Sequence, residues 1–151
     1  SDSELWLIGD GEKKTEIETF VCENDLSENV KFLGLQSDVH EFLCEADIFV
    51  LPSDYEGMPM TIIEAMGTGL PCIASNVGGI PDMISNGVDG VLIEPNEGAL
   101  VDAIESLYND MTLRKKLGEN AKKRAQSFSS EQMAREYIKV YGDCIYESGK
   151  Q

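Results

Sequence analysis

The chain has 151 residues, and its 28 acidic side chains outnumber 12 basic ones to give a net charge of −16. That length suits one domain with a core of its own, and the acid excess argues against docking on nucleic-acid phosphate or anionic lipid, which both call for clustered Lys and Arg. Cysteines at 22, 44, 72 and 144 form no CxxC pair and His40 is the single histidine, so no metal constellation is legible; the thiols are expected to be reduced and mostly buried, and His40 to lie on the surface of a short helix.

The stretch LWLIGDG (residues 5–11) reads as a buried strand entering a tight turn that Asp10 is expected to shape. Residues 12–23 read as a helix with Ile17, Phe20 and Val21 at helical spacing. VKFLG (30–34) is a second strand, and SDVHEFLCEA (37–46) a helix capped by Ser37 or Asp38, with Val39, Phe42 and Leu43 on one face. DIFVLPS (47–53), PCIAS (71–75) and GVLIEP (90–95) are three more strands, the first of them stopped by Pro52. From residue 97 onward the pattern is helical only. Leu100, Ala103, Ile104 and Leu107 mark one helix, and Leu113, Leu117 and Ala121 a second. Met133, Tyr137, Tyr141 and Cys144 mark a third, entered through SFSSEQ, where a Ser can cap; Tyr137 and Tyr141 are expected to be core contacts. The basic clusters at 114–116 and 122–124 alternate with acids and are expected to form a solvated face.

Strands apolar throughout, alternating with helices, predict an α/β fold: a doubly wound, Rossmann-like parallel sheet covered on both faces, with residues 1–151 as a single domain. No signal peptide and no long apolar span is visible.

Ligands of such sheets bind beyond the carboxyl ends of the strands. The loop after the third strand is PSDYEGMP. There Pro59 fits the first position of a helix, and Gly57 lets backbone approach a ligand closely. The free amides of this turn and the positive end of the helix dipole suit an anion such as a diphosphate. Glu64 lies five residues beyond Pro59, roughly 7–8 Å along the axis. A nucleotide whose diphosphate meets the helix start would place its ribose there, and a carboxylate's two acceptors match a vicinal diol. Glu56 precedes the helix, where it can meet hydroxyls of a sugar on the β-phosphate. A plainer reading stays open: Glu56 as a loop acid stabilised by the dipole, Glu64 as an exposed residue of an amphipathic helix. Met58, Met60 and Met66 are expected to pack. Gly78 and Gly79 in SNVGGIP either line the cleft or make a structural turn, and Tyr55 is a lesser candidate for the acceptor side.

The stretches LIGDG, VKFLG, ADIFVLPSDYEGMPMTIIEAMGTGLPCIASNVGGIPDMI, DGVLIEP and FSSEQMAREYIKVY together resemble the C-terminal, donor-nucleotide-binding domain of family 4 (group 1) glycosyltransferases, which have the two-domain GT-B fold. The pattern EG-P----EAM, from Glu56 to Met66, is the specific part. The resemblance implies retaining transfer of a sugar from a nucleotide-sugar to a glycan, lipid or other acceptor, with no metal and no cofactor beyond the donor. It implies that Glu56 contacts the donor sugar, that Glu64 binds the ribose, and that amides of Gly57, Met58 and Met60 hold the diphosphate. The loop at 35–39, including Leu35 and Gln36, would meet the nucleobase. No side chain is an obvious general base, so catalysis would rest on positioning and on charge stabilisation at the leaving diphosphate.

The chain departs from the family pattern in showing neither the N-terminal acceptor domain nor the opening strand with its Gly-Arg and nearby Lys. It is therefore expected to be part of a larger enzyme and inactive alone, with its last helix leaning on the missing domain. The absent strand is central in the order 3-2-1-4-5-6, so either the two groups of strands close up or strands of another copy pair there. A cytoplasmic location is expected, with the full protein peripheral at the inner face of the membrane. The alternatives are a nucleotide-sugar 2-epimerase of the same fold and a non-catalytic nucleotide-sugar-binding module.

Overall fold

The computed structural model describes residues 3–148, and side chains as far as residue 142; of the predicted core contacts, Cys144 lies outside the described side chains. The chain forms two compact units, Ser1–Val39 and His40–Gln151.

The first unit holds β1 (Leu5–Ile8), α1 (Lys14–Glu23) and β2 (Val30–Gly34). The strands are parallel, with Leu5 opposite Val30 and Leu7 opposite Phe32, and the register slips after Leu7. Parallel neighbours need a crossover, which α1 supplies. Asp10 shapes the turn after β1: its Oδ1 accepts from the Gly11 amide at 2.9 Å. Of the three apolar residues expected on one helix face, α1 buries Val21 and leaves Ile17 and Phe20 exposed.

The second unit contains α2 (His40–Glu45), β3 (Phe49–Leu51), α3 (Met60–Thr68), β4 (Cys72–Ser75), α4 (Ile80–Met83), β5 (Val91–Ile93), α5 (Glu97–Asn109), α6 (Met111–Ala125), a 3-10 turn (Gln126–Phe128) and α7 (Ser130–Ser148). Its strands are parallel in the order β3-β4-β5, with Leu51 opposite Ala74 and Ser75 opposite Ile93. The middle strand is buried at every residue, which is why it reads as an unbroken run of small and apolar side chains. Ile73 and Ile93 pack on Ala103 and Leu107 of α5 and Leu117 of α6. Side chains close the helix starts: Asn96 accepts from the Ala99 amide, Asp110 from that of Leu113, and Ser129 from that of Gln132. Each such cap contributes about 1 kcal/mol. No helix among the described residues is long and apolar enough to cross a membrane.

Several sequence expectations are corrected. Among the described residues the strands lie in two sheets, β1-β2 within the first unit and β3-β4-β5 within the second. The thiols are not mostly buried: Cys72 is, but Cys22 and Cys44 are exposed. Cys22 stands next to Val21, the one buried residue of α1, and about 100° round the helix from it. Burial, and then the charge of Asp89, push the Cys72 thiol from an ordinary 9.0 up to about 12. Tyr137 and Tyr141 are exposed and stack on each other, with ring centroids 6.4 Å apart. Their i,i+4 spacing brings them to one face of α7, but spacing does not supply a partner for that face. Arg114 and Arg124 are not merely solvated. Arg114 donates to the carbonyls of Leu107 and Tyr108 at the end of α5. Arg124 donates to those of Asp82 and Met83 at the end of α4 and lies over the Phe128 ring. A guanidinium is suited to carbonyls that a helix end leaves unpaired.

Candidate functional site

The site is built on the passage from β3 into α3. Pro59 has φ −69° and ψ 117°, so it is the N-cap and not the first helical residue as its type suggested. The fixed φ of proline fits both positions, and the extended ψ decides between them. Its carbonyl accepts from the Ile62 amide at 3.2 Å. The first turn of α3 carries no acidic side chain, so nothing of its own offsets the positive end of the helix. The other end closes on Gly69, left-handed at φ 91°, whose amide donates to Met66.

Ile62, Ala65 and Met66 form the buried face of α3, while Glu64 is exposed. Glu64 makes no hydrogen bond or ion pair with the described residues, so both of its oxygens are available. Of the three methionines expected to pack, Met66 does, and Met58 and Met60 are more than half exposed. Met58 precedes the helix, and Met60 lies about 200° round it from Ile62.

Glu56 is half-buried, and its Oε1 accepts from the Ser53 hydroxyl at 2.8 Å. Among the described residues its Oε2 receives no hydrogen bond, and the amides of Gly57 and Met58 donate to none. The Gly57 carbonyl is occupied, accepting from the Gly79 amide at 3.0 Å. A Cβ on Gly78, which has φ +55°, would stand 1.7 Å from the Glu56 carbonyl oxygen. A Cβ on Gly79 would stand 2.3 Å from that of Gly57. The two glycines therefore make a close backbone contact with the loop that carries Glu56. The loops meet because they leave adjacent parallel strands at the same end.

Five of the predicted residues, Glu56, Gly57, Met58, Met60 and Glu64, thus lie on one loop and the helix it opens. Leu35 and Gln36 belong to the first unit, where Leu35 is exposed and Gln36 donates to the Leu33 carbonyl at 2.6 Å. Tyr55 is 84% exposed, with no contact that would define a role. Beyond the ends of β3 and β5 lies a shallow groove of about 170 Å³ lined by Pro52, Ile93, Pro95, Asn96, Glu97 and Leu100; it contains none of the predicted residues. Sequence reasoning missed Ser53. Its only signal is a hydroxyl three positions before Glu56, a spacing too common to stand out.

Residues 1–124 match the family described as "Glycosyl transferases group 1". The chain is 34% identical over 146 residues to N-acetyl-alpha-D-glucosaminyl L-malate synthase of Bacillus anthracis, covering 95% of this chain and 38% of that protein. Among solved structures, sucrose-phosphate synthase from Thermosynechococcus elongatus superposes with a TM-score of 0.83 at 31% identity, over 95% of this chain and 39% of that one. Anabaena Alr3699/HepE in complex with UDP-glucose superposes with a TM-score of 0.84 at 26% identity, over 93% of this chain and 41% of that one. The chain thus spans about two fifths of the length of these proteins.

Proposed function

Since the chain belongs to the group 1 glycosyl transferases, we propose that it supplies the donor-binding part of an enzyme that moves a sugar from a nucleotide-sugar to an acceptor hydroxyl. The observation that carries this reading is the combination on one loop and helix. It comprises a half-buried carboxylate with one open oxygen, two undonated amides, a helix start without its own acid, and an exposed glutamate just over one turn further on. The amides of Gly57, Met58 and Met60, with the positive end of α3, hold the diphosphate. Glu64 accepts from the ribose hydroxyls, and Glu56 from hydroxyls of the donor sugar. The UDP-glucose complex of the Anabaena relative supports a nucleoside diphosphate sugar as donor.

In the reaction, the bond between the anomeric carbon and the β-phosphate oxygen breaks. The acceptor oxygen bonds to that carbon from the same face, giving retention, and its proton passes to the leaving phosphate. Negative charge grows on the diphosphate as the bond breaks, where fixed amides stabilise it without reorganising. No metal or further cofactor enters this scheme. A cytoplasmic site of action follows from use of a nucleotide-sugar. Because the relatives are about two and a half times longer, the acceptor site is assigned to the rest of the protein, and the 151 residues alone are taken to bind donor weakly without turnover.

The test is calorimetry with UDP and UDP-glucose on the chain and its variants. Glu64→Ala should weaken both ligands by one factor, and Glu56→Ala should weaken UDP-glucose selectively. If neither substitution changes either affinity, the assignment is wrong.

A further inference from the structure

Building on the donor reading above, we propose that Ser53, Gly78 and Gly79 are positioning residues that set where the Glu56 carboxylate and the Met58 amide point. A glutamate on a loop has three side-chain torsions to lose before it can orient a sugar. The Ser53 hydroxyl removes that freedom by donating to Oε1 at 2.8 Å. Because it donates to Oε1, it leaves Oε2, which accepts from no described residue, as an acceptor.

The glycines act on the backbone beneath. With a Cβ position on Gly78 only 1.7 Å from the Glu56 carbonyl oxygen, any side chain there must push the Glu56 peptide away. The left-handed φ of +55° independently favours glycine. The Gly79 amide, bonded to the Gly57 carbonyl at 3.0 Å, fixes the plane of the next peptide. In a trans peptide the C=O and N–H point in opposite directions. Turning the Gly57 carbonyl toward the loop after β4 therefore turns the Met58 amide away from it, where it donates to no described residue. A single hydrogen bond between two loops thereby orients a phosphate donor, and the contact beside it seats the sugar acceptor.

The test uses the 151-residue chain, titrated with UDP and with UDP-glucose and followed by amide NMR. Ser53→Ala removes the hydroxyl and leaves the backbone alone. It is expected to weaken UDP-glucose three- to tenfold and UDP less than twofold, and Ser53→Thr to restore UDP-glucose binding to within twofold. Gly78→Ala is expected to shift the amide signals of residues 56–60 and to weaken UDP-glucose more than tenfold. Gly87→Ala is the control: it has a left-handed φ of +73° in open space, so it carries backbone strain without the contact. Should Gly78→Ala fail to fold, the Ser53 pair decides alone. The proposal is overturned if Ser53→Ala weakens UDP and UDP-glucose equally, if threonine does not restore binding, or if Gly78→Ala leaves the signals at 56–60 as Gly87→Ala does. It is also overturned, but together with the sugar role of Glu56, if Glu56→Ala itself leaves UDP-glucose binding unchanged. Selective loss with Glu56→Ala but none with Ser53→Ala defeats the positioning role alone.

Discussion

A Cβ on Gly118 of α6 would lie 2.1 Å from the carbonyl oxygen of Gly69, the residue that ends α3. The two backbones touch with no side chain between them, so α6 packs directly against the end of the helix that carries Glu64.

Gly118→Ala should therefore be destabilising by about 1–3 kcal/mol, the usual effect of overfilling a packed site, and should lower the thermal midpoint by several degrees. Gly67→Ala makes the matching control. Gly67 is exposed in α3 with nothing within 4 Å of its Cβ position, so alanine there should stabilise by about 0.5–1 kcal/mol. Thermal unfolding of both variants measures the difference, and equal midpoints would contradict the close contact.

In the proposed ribose role, Glu64→Ala removes a carboxylate whose charge-assisted bonds to a diol would contribute roughly 1.5–3 kcal/mol each. The affinity for UDP should fall about tenfold or more, by one factor for UDP and UDP-glucose, in the calorimetry described above. Its stability should stay within about 0.5 kcal/mol of wild type, as for other exposed positions. A large loss of stability would mean that Glu64 serves the fold.

Stability should decline in alkali through Cys72. Its folded pKa is raised to about 12 from 9.0, chiefly by burial. Below 9.0 both states keep the proton and the contribution is fully present. Between 9.0 and about 12 the unfolded chain releases it while the folded chain does not, so unfolding gains at up to roughly 1.4 kcal/mol per pH unit. Urea unfolding at about pH 8 and about pH 10.5, compared with Cys72→Ala, isolates this from other groups. The stability of wild type relative to the variant should fall with pH, and a constant difference would refute the assignment.

Thiol labelling should separate the cysteines. In a Cys144→Ser background, Cys22 and Cys44 are exposed and Cys72 is buried with a raised pKa, so the native chain should modify two thiols quickly. The third should react only after denaturant is added. Rapid modification of all three would show that β4 is not closed off.

Local rules carried much of the fold. All five strands of the described residues fall inside the stretches read from apolar runs and their breakers, and Ser129 caps the last helix, where a Ser was expected. The shortening of β3 to Phe49–Leu51 and the four-residue α4 were not legible, because ladder pairing and a single helical turn leave no periodicity to count. The exposure of Tyr137, Tyr141, Cys22 and Cys44 was likewise invisible, since an amphipathic pattern names a face and not what covers it.

By itself, the order of residues determined the alternation of strand and helix and the placing of Glu56 before α3 and Glu64 within it, since periodicity and turn chemistry are properties of neighbours in the chain. Only the tertiary structure decided that Ser53 grips one oxygen of Glu56, that Gly78 and Gly79 lie beneath its backbone, and that Gly118 abuts the end of α3. Those contacts join residues brought together by adjacent strands and packed helices, and backbone approach at glycine leaves no side-chain pattern from which it could be read.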